Sequence, residues 1–348
     1  MPTTYAIPDG RKYMAPVIYT GTGTNGLSIT GVGFQTDFNW TKSRSSGSYS
    51  HQLSDSNRGF TKYLYSNSTA AEGTDATNHI QSVNSNGYVI NSGASFNASG
   101  VTYVAWNWLC NAGSTSSNTS GTITSTVEAN TTAGFSVATY TGNGSAGATF
   151  GHGLGVAPSF VMIKERSNVN GWLCYHISTG NTGYLELDAT LSFQTLSTFL
   201  NNTTPSSTVV TLGTVSNVNR NGGTFVAYCF AQVAGYSAFG SYTGNGSADG
   251  VFVYTGFRPR FVMFKKTSAT SNWSILDTSR DDFNVADNPL LPNTSGAEST
   301  STSGSGAFAD ILSNGFKLRG NSGDINDSGA TYIYACFAEN PFKYANAR

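Results

Sequence analysis

The hexapeptide YTGNGS occupies residues 140–145 and occurs again at residues 242–247, and a shorter version, YTG, occupies residues 19–21. Glycine and asparagine at such positions are typical of tight turns between strands. The stretches of chain that separate these turns have the length of a domain, well above the ~20–50 residues of a solenoid repeat. The sequence therefore predicts three copies of one domain plan.

The three copies share further landmarks in the same order. In each copy an alternating apolar segment ends on a lysine: Lys42, Lys164 and Lys265. Each copy closes with an apolar run: YVAWNWL (103–109), FVAYCFA (225–231) and YIYACFA (332–338). Short apolar segments between turn signals, without a long helical period, predict an all-β protein of three tandem antiparallel β-sandwich or jelly-roll-like domains. The closing runs are apolar on both faces, which predicts a central strand covered on both sides.

The landmarks also suggest domain boundaries. Residues 17–112, 133–234 and 235–348 are predicted to be the three sandwiches. Residues 113–132 are rich in Ser, Thr, Asn and Gly and lack an apolar pattern, so they are predicted to be a linker. Residues 1–16 are predicted to be an N-terminal arm that docks on a partner.

The composition argues against several classes of function. Only 11% of the residues are charged and the net charge is −1, without a basic block that would neutralise phosphates, so no nucleic acid partner is expected. No apolar run approaches the ~18 residues of a membrane span, so no membrane insertion is expected. The first residues lack the apolar region of a secretory signal, which favours synthesis and folding in a cytoplasm. A net charge near zero gives little protection against self-association, which suits a homo-oligomer.

The histidines and cysteines do not predict a cofactor. The four Cys form no C-x-x-C pair and the four His form no pair with metal-ligand spacing, so neither a metal nor another cofactor is expected. His152 lies in the glycine-rich turn FGHGLG and is a candidate ligand contact.

The densest carboxylate cluster lies in the segment ILDTSRDD and consists of Asp277, Asp281 and Asp282. Arg280 follows Asp277 by three positions, as Arg58 follows Asp55, and this spacing favours ion pairs that fix a loop. A contact with a cation or a glycan is the second interpretation of the cluster. Glycoside hydrolysis is the third, but it needs two carboxylates held across a cleft. We predict no catalytic residues and no enzymatic activity.

Five segments of the first copy carry a resemblance to a known family: GFQTDFNWTKSRS (33–45), SHQLSDSNRG (50–59), LYSNSTAAE (64–72), SNGYVI (85–90) and GVTYVAWNWL (100–109). In this order they resemble a concanavalin-like β-sandwich domain of predicted tail-fibre and virion structural proteins of marine phages, especially cyanophages. Thr36 replaces a proline of that pattern and Asn107 replaces a cysteine. The resemblance implies a phage context and brings no established catalytic residues.

Together these observations favour a bacteriophage virion structural protein, first of all a tail-fibre or spike component for host attachment. A head-decoration protein, a glycan depolymerase and a cellular lectin or adhesin are the alternatives. The expected partners are further copies of the chain, with a trimer as first choice, other virion proteins and a host surface glycan. The expected location is the virion, after synthesis in the cytoplasm of the bacterial host.

Overall fold

The computed structural model describes residues 5–299 and 309–341. Its named strands pair in antiparallel ladders, and its helices are single turns. The predicted all-β fold of antiparallel sandwiches is therefore confirmed. A 3₁₀ helix, Gly10–Lys12, precedes three domains that we define as residues 14–108, 116–230 and 237–341.

Domain 1 contains nine strands and one short helix. They are β1 (Met14–Thr20), β2 (Leu27–Thr30), β3 (Phe38–Ser43), β4 (Gln52–Asp55), β5 (Lys62–Tyr65), β6 (Gly73–Thr74), β7 (Ile80–Asn84), β8 (Gly87–Ile90), α1 (Ala94–Asn97) and β9 (Thr102–Trp108).

Domain 2 contains ten strands and the second short helix, and domain 3 contains seven strands within its described residues, 237–299 and 309–341. Those of domain 2 are β10 (Ser116–Asn118), β11 (Ser125–Asn130), β12 (Phe135–Thr141), β13 (Ala148–Gly151), β14 (Phe160–Glu165), β15 (Leu173–His176), β16 (Gly180–Glu186), β17 (Gln194–Thr195), β18 (Val209–Leu212), α2 (Ser216–Asn219) and β19 (Thr224–Phe230). Those of domain 3 are β20 (Ser237–Thr243), β21 (Phe252–Tyr254), β22 (Phe257–Lys266), β23 (Trp273–Asp277), β24 (Ala309–Leu312), β25 (Gly315–Leu318) and β26 (Thr331–Pro341).

Each domain pairs a main sheet with a small sheet. The shared strand orders of the main sheets are β1-β9-β3-β4, β12-β19-β14-β15 and β20-β26-β22-β23. The small sheets are β2-β8-β7, β13-β18 and β21-β25-β24. The closing strands β9, β19 and β26 lie inside the main sheets and are almost wholly buried, as their apolar sequences predict. One face of each main sheet packs on the small sheet of its own domain.

The other faces of the three main sheets pack against one another. Trp108, Phe230 and Phe337 occupy the same position of the three closing strands. Each of them pairs with a phenylalanine on the neighbouring strand of its main sheet, namely Phe38, Phe160 and Phe261. The ring centroids of these three residues lie 6.2, 5.6 and 5.5 Å apart, so each ring contacts the other two. Equivalent side chains therefore meet around a pseudo-threefold axis.

This shared core is closely packed. It includes Phe38, Phe160 and Phe261, which are at most 2% exposed, and the enclosed void beside these rings measures only about 10 Å³. The three domains consequently form one body around a common aromatic core, in addition to the smaller cores within the sandwiches.

Residues 113–132, predicted to be a linker, contain β10 and β11. Both strands extend the main sheet of domain 2 beside β12. Ser125 and Val127 point into the protein and are 1% and 3% exposed. The prediction fails because polar residues fill most positions of this strand pair and hide the alternation.

Residues 1–16, predicted to be a docking arm, are also placed differently where the structure describes them. Ile7 is fully buried in the shared core, and the segment from Met14 already belongs to β1. Gly10 lies so close to β26 that an added Cβ would come within 2.1 Å of the Ala338 carbonyl oxygen. The segment thus packs on the protein's own domain 3, and residues 1–4 lie outside the described part.

Candidate functional site

The three domains contact one another in a cyclic order. The Trp172 indole of domain 2 donates a 2.8 Å hydrogen bond to the carbonyl of Tyr65 at the end of β5 in domain 1. In the same way, the Trp273 indole of domain 3 donates a 2.8 Å bond to the Glu186 carbonyl of domain 2. In domain 1, His51 takes the place of these tryptophans, and its Nε2 has no hydrogen-bond partner in the described residues. Ser66 of domain 1 instead donates a 2.7 Å hydrogen bond to the Pro292 carbonyl of domain 3, so the ring of three domains is closed.

The interface between domains 1 and 2 contains buried charges. Asp55 accepts hydrogen bonds from the Arg58 guanidinium at 2.6 Å and from the Tyr228 hydroxyl of domain 2 at 2.7 Å. Glu72 binds Arg58 and also Arg166 of domain 2, each at 2.8 Å. Burial raises the pKa of Glu72, but the hydrogen bond from Arg166 and the charge of Arg58 outweigh it and hold this pKa below its ordinary value.

The interface between domains 1 and 3 repeats this arrangement. Asp277 accepts hydrogen bonds from the Arg280 guanidinium at 2.6 Å and from the Trp106 indole of domain 1 at 2.9 Å. Glu298 binds Arg44 of domain 1 at 2.7 Å and Arg280 at 3.3 Å. The carboxylates on both interfaces are thus neutralised by arginine, as buried charges require.

The interface between domains 2 and 3 replaces these charges with neutral groups. His176 stands where Asp55 and Asp277 stand, and its Nε2 faces the Tyr334 carbonyl of domain 3 at 3.1 Å. Phe193 takes the place of Glu72 and Glu298 at this interface. The backbone N–H of Phe193 donates to the Thr267 carbonyl of domain 3. In the same way, the backbone N–H groups of Glu72 and Glu298 donate to the carbonyls of Arg166 and Arg44 in their neighbouring domains. Two interfaces of the ring therefore contain buried arginine–carboxylate pairs, whereas His176 and Phe193 take the carboxylate positions at the third.

The three lysines Lys42, Lys164 and Lys265, next to the last residues of β3, β14 and β22, are fully buried. Lys164 donates a 3.2 Å hydrogen bond to the Thr69 carbonyl of domain 1, and Lys265 donates a 3.1 Å bond to the Thr190 carbonyl of domain 2. Lys42 bonds within its own domain, to the Ser43 carbonyl at 2.8 Å. Burial lowers the pKa of all three ammonium groups to about 8. Lys164 and Lys265 therefore serve the contacts between domains, whereas Lys42 serves its own domain.

A buried carboxylate pair lies where the chain passes from domain 1 to domain 2. Asp37 accepts backbone hydrogen bonds from Cys110 at 2.7 Å and Ala112 at 2.9 Å. Glu128 accepts one from Gly113 at 2.8 Å. Burial, joined by the nearby charge of Asp37, raises the pKa of Glu128 to about 7. The connection between two domains thus carries a carboxyl group that titrates near neutral pH.

The structure separates the three aspartates of the predicted cluster. Asp277 is 1% exposed and fully engaged in the interface between domains 1 and 3. Asp281 accepts a short hydrogen bond from Asn288, and burial raises the pKa of Asp281. Asp282 is exposed and lines a cavity of about 590 Å³ between domains 1 and 3. The cluster therefore forms no common site.

Two arginines line the same 590 Å³ cavity as Asp282. Arg258 forms an ion pair with Glu339, which also lines the cavity. Arg260 makes no side-chain hydrogen bond or ion pair with any residue of the described chain, and burial lowers the pKa of Arg260. Of the two guanidinium groups that line the cavity, Arg258 is therefore paired with a carboxylate and Arg260 has no such pair in the described chain.

His152 is not available as a surface ligand contact. The side chain is fully buried, and its Nδ1 accepts a 3.3 Å hydrogen bond from the Leu154 backbone. Its Nε2 faces the Ser206 carbonyl at 3.2 Å, and burial lowers the pKa of His152. This histidine fixes the turn in which it lies.

Domain 1 contains a second cavity, of about 320 Å³, that the sequence analysis did not predict. Tyr63, Tyr65 and His79 line it together with the polar side chains of Asp75 and Asn78. The segment DATNH (75–79) shows a local signal, since Asp75 accepts backbone hydrogen bonds from Thr77 and Asn78 in a tight turn. Nothing in the sequence places that turn beside the tyrosines of β5.

Within residues 5–299 and 309–341, no cluster of three or more His, Cys, Asp or Glu side chains is arranged to hold a metal ion. None of the helices in these ranges has the length and apolar character needed to cross a membrane.

The fold and these features define a class: a single-chain ring of three β-sandwich domains with cavities at its surface. The chain belongs to the family described as domain of unknown function DUF7483, whose sequence profile matches residues 9–341. Since the match spans all three sandwiches, the family unit is the whole ring. A comparison with curated proteins gives no match.

Proposed function

We propose that this chain is a structural protein on the exterior of a bacteriophage particle, first of all a tail-fibre or spike component for host attachment. The observation that carries the proposal is the shared aromatic core. Three sandwiches that bury their main sheets against one another form a rigid body, which suits a component exposed to the environment. The resemblance of the first copy to phage virion domains supplies the biological context.

A structural role agrees with the use of the charged residues. At two interfaces the arginines and carboxylates form ion pairs that stabilise the contacts between domains. Among the predicted aspartates only Asp282 reaches a cavity, and the other carboxylate that lines this cavity, Glu339, is paired with Arg258. We therefore propose a non-enzymatic role and place the glycan depolymerase second.

The proposed partners are other virion proteins, further copies of the chain and a host surface glycan. The three domains already provide a threefold arrangement within one chain, so a trimer of chains is a separate proposal. Light scattering on the purified protein measures the number of copies directly.

Immunogold electron microscopy of purified phage particles, with antibodies against this protein, tests the proposal. Label on the tail supports a fibre or spike, and label on the head supports the decoration alternative. Lysates from cells that produce the protein without particles serve as control. Particles that carry no label above that control contradict a virion role.

A further inference from the structure

We propose that the 320 Å³ cavity of domain 1 binds one ring of a neutral sugar. The binding itself is argued from the cavity, whereas its use as a receptor contact rests on the proposed function. The lining combines aromatic side chains with uncharged hydrogen-bonding groups and the carboxylate of Asp75, and the cavity volume lies at the small end of ligand pockets, which span ~300–1,000 Å³.

The aromatic part of the lining is rigid. The Tyr63 ring stacks on the His79 ring with centroids 4.5 Å apart and planes inclined by 16°. Gly73 lies against the same tyrosine, because a Cβ at this glycine would come within 2.2 Å of the Tyr63 Cζ. Phe96 holds His79 from the side at 4.7 Å. Rings held in this way present a fixed apolar surface, and such surfaces suit the apolar faces of pyranoses.

Two buried polar atoms at the cavity have no partner in the described chain. They are the Oε1 atom of Gln52 and the Nδ1 atom of His79, and their residues are 3% and 5% exposed. An unpaired buried polar group is unfavourable because it has lost its water without gaining a partner, so most native proteins satisfy such groups. Both residues line the cavity, and a hydroxyl-rich ligand would supply the missing hydrogen bonds there.

The charge of the lining favours a neutral ligand over an anion. Burial lowers the pKa of His79 to about 4 despite the charge of Asp75, so the ring is uncharged at neutral pH. Burial also raises the pKa of Tyr65 to about 12, which keeps this hydroxyl protonated. Asp75 is ionised, because hydrogen bonds from Thr77 and Asn78 outweigh its burial and lower its pKa to about 2. One fixed carboxylate can accept sugar hydroxyls and repels a uronate.

Domain 2 carries different side chains at the position that corresponds to this cavity. Tyr184 corresponds to Tyr63, since their following leucines pair with equivalent positions of β4 and β15. Gln194 lies opposite Tyr184 where Gly73 lies opposite Tyr63. The Tyr184 ring packs edge-on against Phe199, which is fully buried. Tyr184 is therefore the matched control position.

Isothermal titration calorimetry on the full chain tests the proposal, with the methyl glycosides of glucose, mannose, galactose and N-acetylglucosamine as probes. We expect millimolar binding of at least one of them. Gln52→Leu should weaken that binding by roughly five- to tenfold, the effect of one lost hydrogen bond, while leaving the fold intact because it removes an unpaired buried amide. Tyr184→Ala should leave the affinity unchanged.

Three results would overturn the inference: no neutral glycoside binds the wild type, Gln52→Leu binds as tightly as the wild type, or methyl glucuronide binds more tightly than the neutral sugars. The particle-labelling experiment fails or succeeds independently. Labelled particles without sugar binding contradict only the cavity proposal, and sugar binding without label contradicts only the virion proposal.

Discussion

Glu128 is a residue whose acidity is strongly altered by the fold. It is fully buried at the connection between domains 1 and 2, and its pKa rises from an ordinary 4.5 to about 7. The folded state therefore binds a proton more tightly than the unfolded state does. This contribution to stability is complete below pH ~4.5 and is lost as the pH rises through about 7.

We expect Glu128→Gln to weaken the pH dependence of stability in that window. The amide keeps the shape and cannot ionise, so the variant should gain up to roughly 3 kcal/mol relative to the wild type between pH 5 and pH 8. Urea denaturation at both pH values measures the difference. Asp282→Asn, at an exposed carboxylate, is the control. Equal pH dependence in wild type and Glu128→Gln would contradict the assignment.

For single residues, the sequence predicted contacts between neighbours along the chain better than contacts with residues of other domains. The pairs Asp55–Arg58 and Asp277–Arg280 were expected from their three-residue spacing, and both ion pairs form. The sequence could not indicate that Tyr228 and Trp106 from other domains complete them, because those contacts depend on the ring. The same holds for Tyr63 and His79, which are brought together only by the folded sheet.

Among the secondary-structure elements, the link between β4 and the neighbouring domain depends on one side chain. Arg58 binds Asp55 and Glu72 and also donates to the Leu53 carbonyl and the Tyr228 hydroxyl, each at 3.0 Å. All these groups lie inside the interface between domains 1 and 2. Removing the guanidinium would leave Asp55 without its arginine partner, whereas Glu72 would keep Arg166.

We expect Arg58→Met to lower the free energy of unfolding by about 3 kcal/mol or more, because it breaks a buried ion pair from one side. Arg11→Met is the control, since the Arg11 side chain is 52% exposed and exposed pairs contribute only ~0–1 kcal/mol. Chemical denaturation of both variants measures the two losses. If both variants lose a similar free energy of unfolding, the buried ion pairs of Arg58 contribute no more to stability than the exposed pair of Arg11.

The strands were predicted where their apolar pattern is strong and missed where it is weak. The closing runs at 103–109, 225–231 and 332–338 coincide with the buried strands β9, β19 and β26. In contrast, β10 and β11 consist mainly of small polar residues. Their place in the sheet comes from pairing with β12, which a local pattern does not reveal.

For the whole molecule, the shared core predicts cooperative unfolding. Phe199 is buried in the core of domain 2 alone, and Phe199→Ala should cost about 3 kcal/mol or more. If the domains depend on one another, this loss should shift one common transition. Three of the five tryptophans lie in domain 1, so tryptophan fluorescence reports mainly on domain 1 and not on the domain that carries the substitution.

Fluorescence and far-UV circular dichroism during denaturation measure this coupling. We expect both signals of Phe199→Ala to shift by the same amount relative to the wild type. A dichroism curve with two steps, together with an unshifted fluorescence curve, would mean that domain 2 unfolds alone.

The repeats predicted three sandwiches but not their arrangement. The matching residues Trp108, Phe230 and Phe337 of the three domains are in contact, which tandem repeats alone do not indicate. A sequence shows that a strand is apolar on both faces, but it does not tell which neighbour covers the second face. Here other domains cover it.

The unequal interfaces have a consequence for how such a ring changes over generations. In a ring of three identical chains, every substitution appears three times, so a cavity opened in one copy opens in all. Covalent fusion of the copies removes that constraint. His176 and Phe193 at one junction, and Tyr63 beside a cavity where Tyr184 packs against Phe199, are differences that only a fused ring can encode. One copy is thereby free to diverge toward recognition while the others preserve the scaffold.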